Sequence, residues 1–201
     1  MPLTIPGTAG RIFQKPHTRP RISTQWTAAY LDKVDISQAT IVGISIGATI
    51  SLVLAARRNP RVTRVIAVNP YDYWPAGGIS QKLSRRQARS DALGSTRPGA
   101  TIMRLRNRYA SDRIFEGGLA SPEALPKELA EEFYGVGARS GHYRSFLSLL
   151  AHERLWAKAR DEYVSIKVPS GVATEIVPNG NHFLSLDRPR ELQHVIVGFA
   201  R

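Results

Sequence analysis

The stretch Ala39-Thr40-Ile41-Val42-Gly43-Ile44-Ser45-Ile46-Gly47-Ala48-Thr49-Ile50-Ser51-Leu52-Val53-Leu54-Ala55-Ala56-Arg57-Arg58 decides the fold. Its first part, Thr40-Ile41-Val42, is a short β-branched run of the kind that forms a buried strand. Its last part is apolar and Ala-rich, a pattern that forms a buried helix. Between them, Gly43-Ile44-Ser45-Ile46-Gly47 matches G-x-S-x-G, with a serine at the apex of a sharp strand-to-helix turn. The flanking glycines suit a turn too tight for side chains two positions either side of the serine. Held there, the Ser45 hydroxyl projects from the turn, and the Ile46 N–H points at the same space from a helix N-terminus. The plain alternative is a glycine-containing turn whose serine only caps the helix.

Outward from this stretch, Asn59-Pro60 ends the helix, and Val62-Thr63-Arg64-Val65-Ile66-Ala67-Val68-Asn69-Pro70 is expected to be a second parallel strand. Strand, helix and strand make a βαβ unit. Upstream, Ser23 or Thr24 is expected to cap a helix through about Lys33, with Trp26, Ala29, Tyr30 and Val34 on one face. Residues 1–22, carrying Pro2, Pro6, Pro16 and Pro20, are expected to be irregular. Residues 71–162 are Arg-rich and helical in pattern. Ser121-Pro122-Glu123 marks a helix start there, and Tyr143, Phe146, Leu147, Leu150 and Leu155 fall at helical spacing. A last strand is expected at Val172–Pro178. The loop Asn179-Gly180-Asn181-His182-Phe183-Leu184 follows, then a helix capped by Asp187, with Pro189 in its first turn and Leu192, Val195, Ile196 and Phe199 inside.

The Gly43–Gly47 motif in its strand and helix frame resembles the α/β-hydrolase family. Pro6-Gly7-Thr8-Ala9-Gly10-Arg11 is similar to a degraded form of that family's D-x-P-G-x-G-x-S loop, with Thr4 where the pattern has Asp. The resemblance implies an α/β fold: a reduced parallel sheet built from residues 1–70 and 163–201, with a helical cap at 71–162. It implies a serine nucleophile at Ser45, a general base at His182 on the loop before the final helix, and the Ile46 N–H as an oxyanion donor. It also implies a buried carboxylate. Tyr163–Pro169 looks like the lead-in to the acid-bearing strand, yet Ser170-Gly171-Val172 already begins the approach to the next one. Between Pro169 and His182 stands Glu175, mid-strand, and the remaining candidate acid is Asp72, after the preceding strand. Against the family pattern the chain is expected to lack the acid-bearing strand and the amino-terminal strands. Without that strand, the His182 segment is expected either across a gap from Val65–Val68 or drawn against them.

Magnitudes set the expected activity. Loss of the acid alone costs roughly 10⁴-fold in other triad enzymes, and loss of one oxyanion donor roughly 10²–10³-fold. The expectation is therefore a serine hydrolase of ester-like small molecules working through an acyl-enzyme, impaired in this chain. The alternative of another class is a truncated, non-catalytic binding protein of the same fold.

Bulk composition bounds the rest. At 201 residues with 42% hydrophobic content the chain can build a real core. With no Cys, disulfides, thiolate metal sites and a cysteine nucleophile are excluded. His17, His142, His152 and His194 carry no metal-ligand spacing such as H-E-x-x-H, so neither cofactor nor metal is expected. The start, Met1 to Pro6, lacks a basic segment followed by an apolar core, and no run approaches a membrane span, so a cytoplasmic location is expected. The net charge of +12 could draw nucleic acid or anionic lipid, but the 28 Lys+Arg are scattered. Their densest cluster, Arg104-Leu105-Arg106-Asn107-Arg108, lacks a nucleic-acid motif, so it is expected to be a solvated basic face, with no specific nucleic-acid partner.

Overall fold

The computed structural model describes residues 20–70, 93, 96–151 and 175–200. Chain order gives α1 (Pro20–Lys33), β1 (Ala39–Ile44), α2 (Ile46–Ala56), β2 (Val62–Val68), α3 (Arg97–Leu105), α4 (Asn107–Gly118), a 3₁₀ turn (Pro122–Ala124), α5 (Lys127–Gly137), α6 (His142–Ala151), α7 (Leu184–Asp187) and α8 (Pro189–Ala200). The fold is mixed α/β, with a parallel sheet of β1 and β2 among the described residues.

The two strands pair from Thr40 opposite Arg64 to Ile44 opposite Val68. Helix α2 packs on both strands and on α1. It is apolar all round, which suits a helix buried on several sides, and Val53 and Leu54 are each only 2% exposed. Ile50 and Leu54 form one core with Ala28, Ile41, Ile46 and Val62 around them. The buried Ser51 hydroxyl of α2 is satisfied within the helix, donating to the Ala48 carbonyl at 2.8 Å.

Arg61 fixes the entry into the sheet. Its guanidinium donates to Asp32 at 2.7 Å and to the Ile36 carbonyl at 2.7 Å, tying the end of α1 and the α1–β1 turn to the start of β2. That turn needs the tie, because Asp35 sits at φ 52°, a left-handed conformation uncommon outside glycine.

Helix α1 starts at Pro20, earlier than a Ser23 or Thr24 cap would place it, because proline suits the first turn. Its inner face also differs from the expected one. Thr24, Thr27 and Leu31 are buried, whereas Trp26 is 59% exposed and Val34 is exposed. The threonines tolerate burial because hydroxyls can bond within the helix, as Thr27 does to the Ser23 carbonyl at 3.0 Å.

A second core joins the last segment to β2. Val68, Leu184 and Leu192 are buried together, with Ile66, Val177 and Ile196 packed on them. The segment before His182 therefore lies against the second strand. It is not itself a strand where described: residues 175–178 have no strand pairing, and 172–174 lie outside the described residues. Phe199, expected inside, is 40% exposed near the end of α8.

Helices α3, α4 and α6 form a third core, in which Ala110, Tyr143 and Leu147 are buried and Ala100, Met103 and Phe146 pack around them. Its polar hub is Asn107, which accepts from the Tyr143 hydroxyl at 2.6 Å and donates to the Tyr134 carbonyl at 2.6 Å. Gly137 makes room for it, since a Cβ there would lie 2.0 Å from the Asn107 side-chain oxygen. Ser121-Pro122-Glu123 starts only the 3₁₀ turn; Pro126 interrupts it and α5 begins afresh at Lys127. This core lies within the expected cap. Asp72, His17, His152, Leu155 and the Pro6–Arg11 loop lie outside the described residues.

The packing of α2 sets a stability expectation. Leu54→Ala should cost about 3 kcal/mol by urea unfolding, whereas Trp26→Ala should stay within about 0.5 kcal/mol. A comparable loss at Trp26 would mean that the inner face of α1 is the one read from the sequence.

Candidate functional site

Ser45 stands between β1 and α2 at φ 55° and ψ −116°, a conformation no ordinary strand or helix residue adopts. Such strain costs on the order of 1–3 kcal/mol and persists only where the surroundings impose it. They do so here by backbone contacts. The Ser45 N–H donates to the Val68 carbonyl at 2.9 Å, and the Ser45 carbonyl accepts from Ala48 and Thr49 at 3.0 and 3.2 Å. The turn is closed by main chain, and the Ser45 side chain makes no capping hydrogen bond. A serine there as a mere helix cap is thus disfavoured.

Gly43 is obligatory in this geometry. A Cβ at Gly43 would lie 2.3 Å from the Gly47 carbonyl oxygen and 2.6 Å from the Ala48 nitrogen, both rigid backbone. Gly47 differs from the sequence expectation: a Cβ built on it meets nothing within 4 Å, so its part in the close approach is its own backbone. Among the described residues the Ile46 N–H has no acceptor, and it belongs to the first turn of α2, where the positive end of the helix dipole lies.

His182 is 8% exposed, on a loop held from three sides. Asn69, immediately after β2, donates its side-chain amide to the carbonyls of Asn181 at 3.0 Å and His182 at 3.2 Å. Asn69 can do this from φ 44°, a left-handed position that asparagine tolerates. From the helical side, the Phe183 N–H donates to the Gly118 carbonyl at 2.9 Å. The Asn181 amide also reaches the Leu119 carbonyl at 3.3 Å. Asp187 supplies the third hold, accepting from the Asn181 N–H at 2.8 Å and the Ala120 N–H at 2.9 Å. Gly118 lets the Phe183 ring approach the α4 backbone, since a Cβ there would be 2.2 Å from the ring.

The Ser45 turn and the histidine loop thus converge on one place, the carboxyl end of β2. Val68 receives the Ser45 N–H, and the next residue holds the His182 backbone. Open α/β sheets place their ligand sites at this edge. Among the described residues no hydrogen bond joins the Ser45 hydroxyl to the His182 ring. Of the carboxylates expected near His182, Glu175 is exposed. Asp187, expected as a helix cap, instead spends both oxygens on the loop backbone because Arg188 separates it from α8.

Burial alone holds the His182 imidazole below the ordinary histidine pKa. His142, stacked on Phe146 with ring centroids 6.3 Å apart, is lowered as well, first by burial and then by Arg139. Both favour the neutral ring in the folded chain. His194 is exposed on α8. Among the described residues no three His, Asp or Glu side chains form a group that could hold a metal ion, and no helix is long and apolar enough to cross a membrane.

Sequence reasoning missed Asn69, Asn181, Gly118 and the real work of Asp187. The paired Gly117-Gly118 was a visible hint of a close approach at a helix end. The bonds of Asn69 join residues more than a hundred positions apart, and no local pattern announces such a pair.

Among solved structures, this fold is similar to that of wild-type Cfl2 from Burkholderia cenocepacia, at TM-score 0.65 and 19% identity, over 91% of this chain and 72% of that one. The likeness shows a shared fold. No protein-family model matches the chain, and no curated protein does.

Two measurements check the site. Ser45→Gly should be more stable than Ser45→Ala by about 1 kcal/mol, because glycine adopts the apex conformation without strain; equal stabilities would show that the apex is unstrained. For pH, the folded chain gives up the His182 proton more readily than the unfolded chain. The stabilising contribution is full above the unfolded value and is lost as pH falls through the lower folded one. His182→Gln should therefore flatten the decline of stability on mild acidification, and an unchanged acid limb would contradict burial of a neutral ring.

Proposed function

We propose that this chain is a serine hydrolase of the α/β-hydrolase family, acting on ester-like small molecules through an acyl-enzyme on Ser45. The observation that carries the reading is the strained apex: Ser45 at φ 55° and ψ −116°, with its hydroxyl unused by the helix it precedes. A serine that only capped the helix would leave such strain without a purpose.

In this reading the Ser45 Oγ attacks the acyl carbonyl carbon while its proton passes to the neutral His182 imidazole. The carbonyl oxygen gathers negative charge beside the Ile46 N–H. His182 returns the proton to the departing alkoxide, then takes one from the water that cleaves the acyl-enzyme, and Ser45 is regenerated. His182 must move toward Ser45 for this, since no bond joins them at rest. Asp72 is the proposed acid, four residues beyond Val68 in the sequence. The helices within 96–151 serve as the cap, with the end of α4 bonded to the histidine loop.

Burial disfavours the imidazolium that the reaction must form, which supports weak turnover. The same observation supports a second reading, a non-catalytic binding protein of this fold. A fluorophosphonate probe separates the two. Labelling that maps to Ser45 and disappears in Ser45→Ala supports the hydrolase, and a folded chain that resists the probe supports the binding protein.

With a p-nitrophenyl ester, turnover should be slow and His182→Ala should lower it roughly 10²–10⁴-fold. The acid limb of kcat/KM should fall below the ordinary histidine pKa, because burial keeps the ring neutral there. Fast turnover insensitive to His182→Ala would remove His182 from the mechanism.

A further inference from the structure

The densest arginine cluster of the chain lies where α3 meets α4, and the structure gives it apolar company. Helix α3 is ordered from its first turn: Thr96 caps it, accepting from the Gly99 N–H at 3.3 Å. Its inner face is taken, with Ala100 and Met103 packed into the third core. Its outer face carries Ile102, 58% exposed, and Leu105, 79% exposed, and Tyr109 on the next turn of α4 is 58% exposed. Around them Arg97, Arg104 and Arg106 are exposed, and the Arg106 guanidinium lies 4.7 Å over the Tyr109 ring. From Arg97 through Ser111 the sequence has no acidic residue.

Two large aliphatic side chains facing water among exposed arginines are a poor solvated face and a poor duplex-binding face. Nucleic-acid phosphates would use the arginines, but give Ile102 and Leu105 no apolar place to go. A second copy of the chain would bring another arginine-rich surface to meet this one, under a net charge of +12. An anionic bilayer satisfies both parts. Its headgroups take the arginines, and the boundary of its acyl chains takes short apolar side chains and a tyrosine.

We propose that the outer face of α3, with Tyr109, is a peripheral docking surface for anionic phospholipid membranes. Binding lays α3 in the plane of the interface with Ile102 and Leu105 inserted, and nothing spans the bilayer. The patch lies at the start of α4, whose far end holds the His182 loop about 18 Å along the helix. The proposal does not depend on what Ser45 does.

The test is co-sedimentation of the full chain with vesicles of phosphatidylcholine alone and of phosphatidylcholine mixed with phosphatidylglycerol, at low and high salt. Binding is expected to the anionic vesicles only, and to weaken with salt. Arg104→Ser with Arg106→Ser should reduce it roughly thirtyfold, and Ile102→Ser with Leu105→Ser roughly tenfold or more. All four positions are exposed, so circular dichroism and thermal unfolding of both variants should match the parent chain. Equal binding to both vesicle types, or binding unchanged by Ile102→Ser with Leu105→Ser, overturns the proposal. Capture of a short DNA duplex that the arginine variant loses and the apolar variant keeps, without vesicle binding, overturns it in favour of nucleic acid. Self-association lost with the apolar variant, without vesicle binding, overturns it in favour of a second copy.

Discussion

One hydrogen bond sets the geometry of the molecule, from the Ser45 N–H to the Val68 carbonyl at 2.9 Å. It carries the parallel ladder one step past the end of β1, into a residue that has already turned toward the helix. A residue held by the sheet on one side and by α2 on the other cannot relax its φ. The bond also fixes where β2 stops. Asn69 follows at once in a left-handed conformation, and that reversal aims its amide at the histidine loop. The Ser45 turn and the histidine loop are thus registered to each other through two consecutive residues, the last of β2 and the one that follows it.

What was legible in the sequence follows from the range of the forces involved. The Ser45 turn was legible because a β-branched run, two glycines and an apolar helix are local, and local sterics determine the turn. Even there Gly43 and Gly47 looked alike, and only the placed backbone shows that one must lack a side chain. The inner face of α1 was misread because hydrophobicity favoured Trp26 over Thr24 and Thr27. A threonine that bonds to its own helix can be buried at little cost, while a large indole needs a deep partner surface. Val172–Pro178 has the composition of a strand, but its described part, 175–178, packs through Val177 without joining the ladder.

The candidate site was legible as residue types and illegible as a network. Ser45 and His182 could be named from their frames, whereas the residues that hold the histidine loop come from the end of β2, from α4 and from α7: Asn69, Gly118 and Asp187. Asp187 shows the difference most clearly. An aspartate just before a proline-led helix is read as a cap, but here it gathers two backbone N–H groups from segments far apart in sequence. A carboxylate so engaged is an anchor for peptide groups, which leaves the electrostatics of the His182 ring to burial.

The contact between Gly118 and Phe183 makes the helical segment and the histidine loop a single mechanical part. The ring lies where a Cβ of residue 118 would be, and the adjoining backbone is hydrogen-bonded across the same seam. In this chain a graft replacing 96–151 would take away the carbonyls and the side-chain-free patch on which the loop rests. A chimaera would have to bring both with it, in register, or the loop would have to find another floor. Residues 118 and 183 are therefore one steric unit, in which a side chain at 118 has room only if the ring at 183 gives way.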